Sequence, residues 1–106
     1  MDLRGRVALV TGGAHRAGRA IVLALGRAGA RVVIHYHRSA EPAQGVQAEL
    51  AAIGAESALV SGDLAVVAEA ERVTDEGRAR WGQLDLLVNS AGIWGSTPIG
   101  TVTQAR

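Results

Sequence analysis

The chain has 106 residues with 11 Arg and Lys against 10 Asp and Glu, a net charge of +1, and 48% hydrophobic residues. That length holds one domain, residues 1–106, and the near-zero charge gives no general attraction to nucleic acid or to membrane. There is no Cys and all eleven basic residues are Arg, which excludes disulfides, thiolate metal sites, a thiol nucleophile and all lysine chemistry.

The first element read along the chain is the apolar run Val7-Ala8-Leu9-Val10. Three similar runs follow at Val32-Val33-Ile34, Ser57-Ala58-Leu59-Val60 and Leu84-Asp85-Leu86-Leu87-Val88. Continuous apolar runs of this kind suit strands buried on both faces. Between them lie three stretches of helical period. The first, about Arg16 to Ala28, puts Ala17, Ile21, Ala24, Leu25 and Ala28 on one face. The second, about Glu41 to Ile53, does the same for Val46, Leu50 and Ile53. In the third, about Val66 to Trp81, the face comprises Val66, Ala70, Val73, Gly77 and Trp81. Gly29, Gly54 and Gly82 follow the three helices, where a left-handed residue ends a helix well. The alternation β-α-β-α-β-α-β predicts an α/β fold with a parallel sheet and right-handed crossovers. Residues 89–106 show no clear element, although a helix could begin after Thr103. No run approaches the ~18 apolar residues of a membrane span, and the N-terminus lacks a signal peptide's pattern, so a cytoplasmic protein is the expectation.

The segment most informative about chemistry is Val10-Thr11-Gly12-Gly13-Ala14-His15-Arg16-Ala17-Gly18-Arg19, where the first strand meets the first helix. Glycines there let the backbone approach a pyrophosphate, and the helix N-terminus offers amide donors and a positive dipole end. The strand-turn-helix context is what gives such a glycine pattern its meaning. A phosphate loop of the Gly-Lys-Ser/Thr kind is excluded by the absence of lysine.

The spacing Thr11-Gly12-x-x-x-Arg16-x-Gly18 resembles the Thr-Gly-x-x-x-Gly-x-Gly fingerprint of the short-chain dehydrogenase/reductase family. Gly62-Asp63-Leu64 after the third strand and Asn89-Ser90-Ala91-Gly92 after the fourth resemble that family's later motifs, in the same order. The resemblance implies a Rossmann-like doubly wound sheet with strand order 3-2-1-4 and a hydride-transferring oxidoreductase acting on a small-molecule carbonyl substrate. It also implies cofactor contacts from Gly12, His15, Arg16, Ala17, Gly18, Asp63, Leu64, Asn89, Ser90, Ala91 and Gly92. Arg16 in place of the middle glycine, together with His35-Tyr36-His37-Arg38-Ser39, resembles the pteridine reductase branch, which uses NADPH on pterins.

The residues agree on the cofactor. Twenty positions beyond Gly18, where a carboxylate would hold the ribose 2′-hydroxyl of NAD, stands Arg38. A guanidinium there can clamp the 2′-phosphate of NADP, with Arg16 below it and Ser39 adding a hydroxyl. Tyr36 and His37 are expected beside the adenosine. His35 and His37 share a strand face, yet no further ligand has suitable spacing, so no metal is expected. Asp63 is also a candidate cap for the third helix. Trp81 is expected in the core, and Trp94 is a candidate lining of the substrate pocket.

No catalytic residue is assigned. In the family a tyrosine protonates the substrate oxygen and a lysine four residues on assists it. This chain has no lysine, and its single tyrosine is Tyr36. The sequence therefore reads as the N-terminal, cofactor-binding half of such a reductase, cut before its catalytic centre. The alternatives are a non-catalytic nucleotide-binding module and an inactive fragment that needs a partner chain. The fourth strand would then be an apolar, uncovered edge, open to self-association or homo-oligomer formation.

Overall fold

The computed structural model describes residues 2–90 together with the backbone of Thr101–Gln104. The chain runs β1 (Val7–Thr11), α1 (Arg16–Arg27), β2 (Arg31–Tyr36), α2 (Ala40–Ala52), β3 (Ser57–Ser61), α3 (Val67–Trp81), β4 (Leu86–Asn89) and β5 (Thr101–Gln104). The strands form one sheet in the order β3-β2-β1-β4-β5. β1 pairs in parallel with β2 on one side and β4 on the other, and β2 pairs in parallel with β3. The expected order 3-2-1-4 is therefore present.

Alternation along the strands separates two cores. Val10, Val32, Ile34 and Val88 face Val22 and Leu23 of α1 and Val46 and Leu50 of α2. Val7, Leu9, Val33 and Val60 face the other way, against Val73 of α3 and Leu84. Period-two strands with branched residues on both faces require exactly such cover from helices on each side. Trp81 packs against the second core, with the Arg80 guanidinium 4.7 Å from its ring centroid.

Four expectations are corrected. Of the expected α1 face, Ile21 and Leu25 pack against the first core, but Ala24 and Ala28 are exposed, and the buried residues of the helix are Gly18, Val22, Leu23 and Gly26. Glycines make the contact because the helix lies so close: a Cβ on Gly26 would stand 2.3 Å from Leu50 Cδ2. Ile53 and Val66 are likewise exposed, each lying just outside its helix. Third, residues 101–104 form a strand and not the start of a helix. Thr101, Val102 and Thr103 are β-branched and favour extended backbone. Fourth, the outer edge of β4 is not open. β5 pairs with it antiparallel from Leu86↔Gln104 to Asn89↔Thr101, satisfying the backbone groups expected to invite another chain.

Candidate cofactor site

The strands β1, β2, β3 and β4 are parallel, so their C-terminal ends meet at one edge of the sheet, and the motifs lie there. In open α/β sheets ligands bind outside that edge, where the connections diverge to opposite faces. Here the divergence falls at β1, whose neighbours are β2 and β4.

The turn from β1 into α1 is built on close backbone approach. Gly12 has φ +64°, the left-handed region that glycine enters without penalty. A Cβ on Gly18 would lie 2.1 Å from the Gly12 carbonyl oxygen and 2.8 Å from Ser90 Oγ, so only glycine fits. His15 precedes α1 with extended backbone, no side chain caps the helix, and no acidic residue occupies its first turn. The positive end of α1 is thus left for an external anion. Arg16, the first residue of α1, is the single non-glycine with positive φ among the described residues, at +44°. The position where the fingerprint has its middle glycine is one whose backbone conformation favours glycine.

The neighbouring loops are tied to this turn. His15 Nε2 lies 2.7 Å from Ser39 Oγ, so the serine leaves α2 without a side-chain cap and joins the two loops instead. Arg16, His37 and Arg38 are exposed, Ser39 and Tyr36 half-buried. His37 Nε2 stands 4.0 Å from Asp63 Oδ2. Asp63 does not cap α3, which begins after Val66 with no side-chain bond. Its Oδ1 accepts the Ala65 amide at 3.0 Å, and its own amide donates to Glu69 Oε1 at 3.1 Å. Leu64 directs its side chain to the core beneath α3.

On the β4 side, the Thr11 hydroxyl is 2.9 Å from Asn89 Oδ1 and 3.4 Å from the Val88 carbonyl. The Ser90 amide donates to Thr11 Oγ1 at 3.1 Å, and its hydroxyl donates to the Thr11 carbonyl. Asn89 and Ser90 therefore brace the ends of β1 and β4 against each other. Ala91, Gly92 and Trp94 lie outside the described residues.

Two residues to which sequence reasoning gave no supporting role brace the ends of the strands, His35 at this edge and Asp85 at the opposite one. His35 and His37 do not share a strand face, because β2 ends at Tyr36: His35 is 3% exposed while His37 is open. Its Nδ1 accepts the Gly12 amide at 3.1 Å, and its Nε2 lies 2.8 Å from the Gly62 carbonyl. Burial, the largest influence, holds the imidazole below its ordinary value of 6.5; the Gly62 bond opposes this and His37 adds to it. A histidine continuing the apolar run Val32–Ile34 was the available signal. Asp85 accepts the Val7 amide at 2.9 Å just before β4 begins, and that bond lowers its pKa most. Among the described residues no group of three metal-ligating side chains occurs.

Comparison with known proteins agrees with this geometry. The family model described as short chain dehydrogenase matches residues 6–106. A short chain dehydrogenase/reductase of Aspergillus novofumigatus, nsrJ, is 40% identical over 102 residues, covering 96% of this chain and 39% of the relative. A dehydrogenase/reductase of Sinorhizobium meliloti 1021 superposes with a TM-score of 0.84 at 39% identity, over 92% of this chain and 38% of that one. A short chain dehydrogenase of Burkholderia cenocepacia J2315, solved in complex with NADP, has a TM-score of 0.83 at 39% identity, over 92% and 40%. The chain thus spans about two-fifths of the length of these proteins.

Proposed function

The chain belongs to the short-chain dehydrogenase family, and on that premise we propose that it forms the NADP(H)-binding part of an oxidoreductase that transfers hydride to or from a small carbonyl substrate. The observation that carries the reading is the uncapped N-terminus of α1 beneath a turn in which Gly18 presses on Gly12, with arginine at positions 16 and 38. Amides at a helix N-terminus suit a pyrophosphate. Arg38, two residues past β2, is suited to the 2′-phosphate, where a carboxylate would repel it. The B. cenocepacia relative, solved with NADP, supports the same choice.

NADPH, when bound, supplies the hydride. This chain's own part is to bind and orient it: Gly12, Ala17 and Gly18 at the pyrophosphate, Arg16, Arg38 and Ser39 at the 2′-phosphate, Tyr36, His37, Asp63 and Leu64 around the adenosine, and Asn89, Ser90, Ala91 and Gly92 toward the nicotinamide. Leu64 would contribute through its backbone, since its side chain is in the core. His15 would act by holding Ser39. We assign no catalytic acid to these residues. Protonating a developing alkoxide needs a positioned acid of tuned pKa, and Tyr36 belongs to the adenosine side. The resemblance of Arg16 and the run His35-Tyr36-His37-Arg38-Ser39 to the pteridine reductase branch is the support for a pterin-type substrate as the alternative to a carbonyl compound.

Arg38→Asp tests the cofactor assignment. Removing a charge-assisted phosphate contact costs about 1.5–3 kcal/mol. NADPH affinity is expected to fall more than tenfold in calorimetric titration while NADH affinity holds or improves. Equal loss of both would overturn the assignment.

A further inference from the structure

We propose that His35 is a positioning residue for the cofactor: its neutral imidazole bolts the glycine-rich turn after β1 to the turn after β3, and the bolt opens when the ring takes a proton. The proposal rests on the cofactor reading above and adds to it a residue buried beneath the site.

Placement carries the argument. β2 lies between β1 and β3 in the sheet, and His35 is its last fully buried residue. From there the side chain reaches both flanking turns, with Nδ1 3.1 Å from the Gly12 amide nitrogen and Nε2 2.8 Å from the Gly62 carbonyl oxygen. An amide only donates and a carbonyl only accepts. The ring is therefore fixed as one neutral tautomer, with its proton on Nε2. The His35 carbonyl also accepts the Gly13 amide at 3.0 Å, and the Tyr36 carbonyl accepts the Gly62 amide at 3.1 Å. Two consecutive residues of β2 thus set the backbone at Gly12, Gly13 and Gly62. The first two belong to the turn assigned to the pyrophosphate. The third immediately precedes Asp63, on the adenosine side.

A proton on Nδ1 would place two donors face to face, so the Gly12 bond must break. The charged groups around the ring offer no compensation. His15 and Arg16 lie on the turn after β1, and His37 and Arg38 follow β2; these bring only cationic or neutral nitrogen. Around the turn after β3 stand Asp63, Glu69 and Arg72, and they are engaged with one another and with His37. Asp63 faces His37 at 4.0 Å, Glu69 accepts the Asp63 amide, and Arg72 binds the Ser61 carbonyl and Glu69. Among the described residues no carboxylate pairs with His35. The charged ring would be both buried and unpaired, which is costly. Burial lowers its pKa accordingly.

The test compares this chain with His35→Leu, which keeps bulk and removes both bonds, and His35→Asn. The asparagine oxygen stands on the same Cγ as Nδ1 does, so it can accept the Gly12 amide and cannot titrate. NADP⁺ binding is measured calorimetrically at pH 7.5 and 5.5, and Gly12 amide exchange is followed without ligand. The ligand's 2′-phosphate titrates near pH 6, equally for every variant, so the comparison is between proteins. Wild-type affinity is expected to fall at least fivefold more than that of His35→Asn on acidification, and Gly12 protection, taken as the intrinsic exchange rate at each pH over the observed one, is expected to drop in the wild type alone. At pH 7.5 His35→Leu should bind more than tenfold weaker and His35→Asn less than tenfold. Equal pH slopes for wild type and His35→Asn overturn the proposal, as does unchanged affinity in a folded His35→Leu. If His35→Leu does not fold, the slopes decide. Wild-type protein that shows no NADP⁺ binding at pH 7.5 overturns the cofactor reading and this role together; intact binding with flat variants overturns this role alone.

Discussion

Replacing Arg16 by glycine separates stability from recognition, because the two respond in opposite directions. Arg16 has φ +44° at the first position of α1. Left-handed backbone costs an L-residue about 1–2 kcal/mol, and glycine removes that cost. Glycine also raises the entropy of the unfolded chain by about 0.4–1 kcal/mol, which offsets part of the gain. The net expectation is a stabilisation of roughly 0.5–1 kcal/mol, or a melting midpoint about 2–6 °C higher for a domain of this size. Arg16→Ala is the control, since it removes the guanidinium and keeps the strained backbone; glycine should exceed alanine by about 1 kcal/mol. If the guanidinium binds the 2′-phosphate, both variants lose about 1.5–3 kcal/mol of NADPH affinity, roughly 10- to 150-fold, and none of NADH. Thermal melts and calorimetric titration of both cofactors read the two effects. Glycine no more stable than alanine would refute the strain argument, and equal losses for NADPH and NADH would refute the recognition argument.

Gly18→Ala should destabilise by about 3 kcal/mol or more in urea titration, since its Cβ meets the Gly12 carbonyl at 2.1 Å and backbone cannot yield as a side chain does; NADPH binding should be lost with it. Asp85→Asn should cost about 1 kcal/mol at pH 7 by weakening the bond to the Val7 amide. The folded-state pKa of Asp85 lies below its ordinary 3.8, so its contribution is present above 3.8 and is lost as pH falls through the folded value; the difference between wild type and variant in urea titrations should shrink on acidification to pH 3. Deleting residues 101–106 bares the β4 edge that β5 covers, and light scattering should then show a larger mass, rising with concentration, than for the longer chain. Unchanged mass would mean that β5 is not what keeps that edge from pairing.

The parallel part of the sheet was legible because its signals are redundant. Each apolar run is bounded by glycine or a helical period, and burial on both faces leaves few other readings for Val7–Val10 or Val32–Ile34. β5 was not legible. A four-residue strand carries little pattern, and what makes Thr101–Gln104 extended is the waiting edge of β4, a long-range partner invisible to a local window. The face of α1 was misread in part. The expected stripe held Ile21 and Leu25, which do pack on the core, but it was set a position off: it took in Ala24 and Ala28 and left out Val22 and Leu23, and Gly18 and Gly26 carry no apolar side chain for a pattern to weigh.

The same division explains the candidate site. Residues that would touch a ligand with their own chemistry, such as Arg38, could be read from charge and spacing. Residues that hold the backbone in place could not, because their partners are amides and carbonyls, which every residue carries. His35 invites a ligand reading until Gly12 and Gly62 are found at its two nitrogens. Asp85 looks like a stray charge at a strand end until the Val7 amide is found on its carboxylate. A polar side chain inside or beside an apolar strand must find partners, since burying it unpaired costs several times a hydrogen bond's net worth. In a doubly wound sheet the unpaired backbone groups lie where the strands end and the chain turns. A buried polar residue at the C-terminal edge is thereby directed toward the same turns that a cofactor would meet, and a lone histidine closing an apolar strand there is better read first as support for the glycine-rich loop than as a ligand.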